Sequence, residues 1–195
     1  MNFFDAAYEG TPPWDIGRPQ PAFVQLTEAG VLKDGPVLDV GCGTGEHVLF
    51  LAAKGFEAVG IDSAPKAIEK AKRKAKERKV KATFRVHDAL DLKSLGRTFP
   101  TVIDNGLFHV FGNRERIRFR NGLHAVMRSG GRYFMMCFSE KEPTDWGGPR
   151  RVTKEEIRGT FAPPKFRVRS IEDTRFETHH HEDGGFAYLA TVDRQ

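Results

Sequence analysis

The sequence predicts a three-layer α/β domain built on a mainly parallel sheet. Three observations carry this expectation. Apolar β-type runs alternate with helical runs between residues 36 and 160, a glycine-rich turn joins the first β run to the helix behind it, and the last quarter breaks the alternation with two β runs in succession. Taken in order, Gln20–Ala29 reads as the first helix, PVLDV (Pro36–Val40) as the first strand, and EHVLFLAAK (Glu46–Lys54) as the helix after the glycine turn. Ala58–Ile61 is the second strand. Pro65–Arg78 places Ala67, Ala71 and Ala75 four apart with Ile68 beside them, the narrow apolar stripe of an amphipathic helix. Strands at Thr83–Val86, Thr101–Asp104 and Arg132–Phe138, with helices at Asn113–Met127 and Thr153–Thr160, continue the alternation. FRVRSIEDTRFE and FAYLATVD then form a closing hairpin, with Asp183-Gly184-Gly185 as its expected turn.

Length and composition set the outer limits. With 195 residues and 39% hydrophobic content, the chain suits one domain over 1–195, an N-terminal arm and lid at 1–30 preceding a core at 31–195. MNFFDAAYEG lacks the basic start of a signal peptide and no apolar run approaches a membrane span, so a cytoplasmic protein with no membrane partner is expected. Cys42 and Cys137 sit in apolar contexts without metal spacing and read as free thiols; no metal site is expected. The net charge of +5 is local. Nine Lys/Arg against two Glu fall between Lys66 and Lys81, leaving 22 basic against 24 acidic residues elsewhere. With no aromatic residue among those charges to stack bases, a solvated helix face is favoured over an RNA-binding one. A monomer or weak homodimer is expected.

The glycine turn and the strand ends after it describe a ligand. Gly41, Gly43 and Gly45 permit close backbone approach at a helix N-terminus. A dinucleotide fingerprint would need its third glycine at position 46, where Glu46 stands, and Asp39 lies just upstream; both carboxylates argue against a pyrophosphate. A ligand with a positive centre and no phosphate, S-adenosylmethionine, fits better. Asp62 ends the second strand where a carboxylate can accept ribose hydroxyls, and Asp88 ends the third, placed for an adenine amino group. Each aspartate alone reads equally well as a cap or turn residue, but three at successive strand ends around GCGTG form a stronger signal.

At this point the chain resembles the class I S-adenosylmethionine-dependent methyltransferases, from about Pro12 onward and on DVGCGTG above all. TPPWDIGRPQPAF, VIDNGLFHVF and GGPRRVTKEEI are similar to segments of the halide/thiol and thiopurine S-methyltransferases. The resemblance implies a Rossmann-like methyltransferase fold, a seven-stranded sheet closed by an antiparallel C-terminal hairpin. It further implies a cofactor site made of Trp14, Arg18, Asp39, Gly41, Cys42, Gly43, Thr44, Gly45, Asp62, Ser63, Asp88, Ala89, Asn105 and Gly106. His109 and Asn105 are the catalytic candidates, and Phe4, Tyr8, Trp14, His109, Phe138 and Trp146 the acceptor-binding ones.

Methyl transfer is an in-line displacement that rests on alignment and exclusion of water, with a base only if the acceptor carries a proton. His109 reads either as that base or as a histidine packed among Phe108, Val110 and Phe111. The aromatic arm reads either as a lid or as a staple to the core. The expected acceptor is a small molecule: a thiol, hydrosulfide, halide, phenol or heterocycle. RNA or protein methylation through the basic helix, and a cofactor-binding domain without turnover, are the alternatives.

Overall fold

The computed structural model of the chain describes residues 3–143, 145 and 147–195, leaving aside the side chain of Glu182. Trp146, expected in the acceptor pocket, lies outside the described residues. Among the described residues there are six α-helices: α1 (Phe3–Ala7), α2 (Pro21–Glu28), α3 (Glu46–Ala53), α4 (Pro65–Glu77), α5 (Asn113–Val126) and α6 (Lys154–Thr160). The strands are β1 (Val37–Val40), β2 (Ala58–Asp62), β3 (Thr83–Val86), β4 (Phe99–Asn105), β5 (Met127–Phe138), β6 (Phe166–Thr178) and β7 (His181–Arg194). They form one seven-stranded sheet in the order β3-β2-β1-β4-β5-β7-β6. β1 to β5 run parallel, and β7 is antiparallel to both β5 and β6. This is the mainly parallel α/β sheet with a C-terminal hairpin that the sequence predicts.

Alternation along the strands builds a core on each face. Tyr133, Met135 and Cys137 of β5 point to one side with Leu38, Val102 and the α5 residues Phe119 and Leu123. Phe134, Met136 and Phe138 point to the other, with Val37, Ile103 and the α3 residues Val48 and Leu51.

The structure departs from expectation in three places. The arm carries a short helix, α1, whose five residues hold no helix-length periodicity to read. β5 starts at Met127, not Arg132, because the Gly130-Gly131 pair breaks the β pattern where the register against β4 shifts. The hairpin turns at His179-His180, since Thr178 pairs with His181, and Asp183–Gly185 lies inside β7. Gly184 has φ +73° in the bulge between the Phe176–Gly185 and Thr178–His181 pairs, so the glycines mark a bulge and not the turn.

Candidate functional site

The chain leaves β1 for β2 on one side and reaches β4 on the other, so the sheet's switch point falls between β1 and β4. Ligands of open α/β sheets bind beyond the carboxyl ends of the strands there. The backbone after Val40 turns at once: Gly41, Gly43 and Gly45 have φ of 74°, 53° and 85°. A Cβ at Gly43 would stand 2.6 Å from Tyr8 Oη, and one at Gly45 2.6 Å from the Phe84 ring. The N–H of Gly43 donates to Asp62 Oδ2 at 2.9 Å, and that of Ala64 to Oδ1 at 2.8 Å. One carboxylate thus clamps the loop, with the N–H of Ser63 bonding it as well. Ser63 beside it is exposed. Cys42 is buried, and burial pushes its thiol well up, which leaves it a filler and no nucleophile.

Asp39 differs from these. It is 1% exposed, and neither carboxylate oxygen has a partner among the described residues. Burial, then the neighbouring carboxylates of Asp104 and Asp62, push its pKa well up. A buried carboxyl group without a donor is costly, which points to a donor brought by a ligand. At the end of β4 the Asn105 side-chain oxygen is likewise buried and unpartnered. Asp104, before it, is fully satisfied: Oδ1 accepts from the N–H of Leu107 (2.7 Å), and Oδ2 from the N–H of Phe108 (3.0 Å) and the Tyr133 hydroxyl (2.8 Å). Burial raises its pKa to about 7 against these bonds. Asp88 is exposed and caps the 3₁₀ turn Ala89–Leu95 through the N–H of Leu90 (2.8 Å), with Ala89 buried beside it.

The arm lies over the glycine loop. Trp14 Nε1 donates to Tyr8 Oη at 2.9 Å, the two rings meet edge to face at 6.3 Å, and Phe4 packs on Trp14 at 6.2 Å. Together they cover Ala64 and Ala67 at the start of α4. Thr44 Oγ1 donates to Asp15 Oδ1 at 2.8 Å, tying loop to arm. Arg18 stands apart from this group, paired with Glu177 of β6.

Beyond β4 the site becomes aromatic. At Gly106 (φ +87°) a Cβ would meet the Phe176 ring at 2.9 Å and His109 Nε2 at 3.4 Å. The His109 ring stacks on Phe138 (5.2 Å, 9°), and Phe176 lies 5.9 Å from His109 and 4.8 Å from Phe138. Nδ1 of His109 accepts the N–H of Phe138 at 3.1 Å. Burial, then the Arg116 guanidinium, lower its pKa to about 3. Sequence reasoning missed Phe176 and the buried Arg116. Phe176 reads as one alternating residue of a late strand, and Arg116 as one of several arginines on a polar helix face.

Two premises against a pyrophosphate lose force. Burial works to raise the Glu46 pKa, but hydrogen bonds from Arg78 (2.8 and 2.9 Å) and Lys74 (2.7 Å) outweigh it and neutralise the carboxylate. Burial and the neighbouring carboxylates likewise disfavour the charged form of Asp39. What favours a cationic ligand is the missing donor at Asp39.

Comparison with known proteins fixes the family. Residues 37–131 match the Methyltransferase domain family. The chain is 36% identical, over 81% of its length and 74% of the relative's, to the 2-heptyl-1-hydroxyquinolin-4(1H)-one methyltransferase of Mycobacteroides abscessus. It is 27% identical to a probable thiol methyltransferase of Arabidopsis thaliana over 84% of this chain and 73% of that one. A solved structure from work on the conversion of a disulfide bond into a thioacetal group during echinomycin biosynthesis superposes with a TM-score of 0.88 at 34% identity, covering 98% of this chain and 90% of the other. The magnesium protoporphyrin IX methyltransferase of Synechocystis PCC 6803, solved with bound S-adenosylmethionine, shares the fold at a TM-score of 0.68 and 20% identity, covering 100% of this chain and 85% of that one. On the glycine loop, the sheet order and these relatives together, the chain belongs to the class I S-adenosylmethionine-dependent methyltransferases.

Proposed function

We propose that this methyltransferase acts on a small-molecule acceptor with a soft or acidic nucleophilic atom: a thiol, hydrosulfide, halide, phenol or heterocycle. The observation that carries this reading is the aromatic cluster of His109, Phe138 and Phe176 packed about Gly106, beside the half-buried Asn105 at the end of β4. Relatives named for a hydroxyquinolone and for thiols support it. When bound, S-adenosylmethionine supplies an electrophilic methyl group on a sulfonium.

The residues present suit that group. Asp39, with two buried oxygens and no donor, and the turn Gly41–Gly45 would hold its amino acid end, lined by Cys42 and Thr44. Asp62 would accept from the ribose hydroxyls beside the backbone N–H groups it already holds, with Ser63 next to it, and Asp88 and Ala89 would border the adenine. Trp14 would close over it from the arm, while Arg18 holds the arm to Glu177 of β6. Asn105 and Gly106 would line the methyl side, and Phe4 and Tyr8 would shape the entrance. The protein's contribution to rate is then alignment and exclusion of water. The chain is read as one domain, 1–195, working in the cytoplasm as a monomer or weak homodimer; among the described residues no helix is long and apolar enough to cross a membrane.

The test is S-adenosylhomocysteine release across hydrosulfide, iodide, thiocyanate, aryl thiols, phenols and N-hydroxy heterocycles, wild type beside Asp62→Ala. Turnover of one class, abolished in the variant, is expected. Silence across the panel despite cofactor binding would end the small-molecule reading.

A further inference from the structure

The tautomer of His109 bears on which acceptors the site takes, an inference that rests on the small-molecule reading above. Nδ1 accepts a backbone N–H from Phe138, so it carries no proton, and the neutral ring keeps its proton on Nε2. Among the described residues nothing accepts from that Nε2–H, which lies 3.4 Å from where a Cβ at Gly106 would stand. A general base needs a free lone pair within reach of the acceptor. On His109 one nitrogen is engaged by the backbone and the other already bears hydrogen. The ring is set to donate.

The charge behind it has the matching sign. Arg116 is 3% exposed, its guanidinium 4.4 Å from the Phe108 ring centroid. Nη1 meets Glu156 Oε1 at 3.2 Å, while Nε and Nη2 are buried without partners. Arg150 engages the same Glu156 oxygen. Two guanidiniums therefore face one carboxylate, and Arg116 keeps donor atoms that no carboxylate meets.

We infer that the acceptor is bound as its conjugate base, held by the Nε2–H of His109 in the positive field of the half-satisfied Arg116. The protein would thus methylate acidic O–H or S–H groups already ionised near neutral pH, such as N-hydroxy heterocycles, electron-poor phenols and aryl thiols. The acceptor's lone pair forms the bond to the methyl carbon, the carbon–sulfur bond breaks with its pair staying on sulfur, and no proton is transferred. Anion and sulfonium become a neutral ether or thioether and a neutral sulfide.

The titratable groups around His109 are Arg116 on α5, Cys137 on β5, and Arg150 and Glu156 at α6; Glu142 and His181 lie behind Phe138 and Gly185. Asp104, beneath the same turn, titrates near neutrality and adds a limb common to every acceptor. The signature is therefore a shift between acceptors.

The experiment is kcat/KM against pH for wild type with phenols and aryl thiols of graded acidity, repeated with His109→Gln and His109→Ala. The rate is expected to rise through each acceptor's own pKa, the midpoint moving from one acceptor to the next. Gln, which can donate but cannot act as a base, should stay within about tenfold of wild type, and Ala should lose about 100-fold or more. A rate that is level or falls as the acceptor ionises, with Gln as inactive as Ala, overturns the inference and leaves the small-molecule reading standing. Should the variants misfold, the wild-type series alone decides. No transfer to any acceptor by protein that binds S-adenosylhomocysteine overturns the small-molecule reading, and this inference with it.

Discussion

Two backbone N–H groups, of Gly43 and Ala64, end on the carboxylate of Asp62. Replacing it with Ala strands both in a buried site at about 1–3 kcal/mol each, so Asp62→Ala should lower the urea midpoint as well as abolish stabilisation by S-adenosylmethionine. Asp62→Asn, which keeps one acceptor, should recover part of the stability and little of the ligand response. A second residue sets a pH dependence. His47 is buried, accepts the N–H of Gln20 on Nε2 at 3.1 Å, and burial lowers its pKa from 6.5 to about 4. Between these values the folded protein binds fewer protons than the unfolded chain, so stability is full above pH 6.5 and is lost as pH falls toward 4. The loss is on the order of 3 kcal/mol, and His109 adds to it. Asp104, its pKa raised, works in the opposite sense over its own window, losing stability as pH rises toward 7. Urea midpoints measured from pH 4 to 7 should therefore fall less steeply on acidification in His47→Gln than in wild type. That the loop glycines and the aspartates stand at the strand ends was legible because their residue types are tied to such turns. His47, Arg116 and Phe176 were not, since their roles depend on which distant element covers them.

At the scale of elements, α4 shows why a charge run is a poor guide to partners. Lys66, Lys70, Lys74 and Arg78 recur every four residues on one face, and the structure occupies that face internally. The N–H of Lys66 donates to Asp5 of α1 at 2.9 Å, the ammonium of Lys66 meets Glu9, and Lys70 donates to the carbonyl of Gly10. Lys74 donates to Thr44 and Glu46, and Arg78 to Glu46. Pro65 opens the helix without an N–H to satisfy, so Asp5 caps the first free donor from another element. The sequence reading of α4 as a solvated face holds for Lys72, Arg73 and Lys76, which are exposed. Reversing those three charges should leave methyl transfer unchanged within about twofold, whereas Lys74→Ala, which removes a donor shared by Thr44 and Glu46 beside the glycine loop, should weaken cofactor binding by about tenfold or more. Isothermal titration with S-adenosylhomocysteine separates the two. Equal effects from both variants would return the helix to the nucleic-acid hypothesis. The strands and helices themselves were read within a few residues wherever periodicity ran long. The hairpin turn was misplaced because glycine signals a bulge and a turn alike.

Across the whole molecule, both ends of the chain meet over the carboxyl ends of the strands. Gln20, 1% exposed, donates from Nε2 to the Glu177 carbonyl (2.8 Å) and accepts the Glu177 N–H on Oε1 (3.0 Å), so a side-chain amide stands in for one more strand residue at the edge of β6. Two residues on, the N–H of His179 reaches the carbonyl of Pro13 at 2.9 Å, and Arg18 pairs with Glu177. The arm is therefore held to α4 at one end and to the hairpin at the other, and Phe176, which packs against Gly106, sits one residue from this seam. No local pattern could announce it, since the contact spans 157 residues. Gln20→Leu keeps the volume and removes both bonds, leaving two backbone groups unpaired at a cost of about 1–3 kcal/mol each. Faster hydrogen exchange should appear at residues 13–20 and 176–181 together, while β1 and β4 keep their protection. If the seam also orders the aromatic cluster about Gly106, affinity for the acceptor should fall further than affinity for S-adenosylhomocysteine, because Phe176 touches the first site and the glycine loop is held independently by Asp62. Exchange that quickened in the arm alone would show that the hairpin keeps its position without the arm, and that the two ends of the chain act separately.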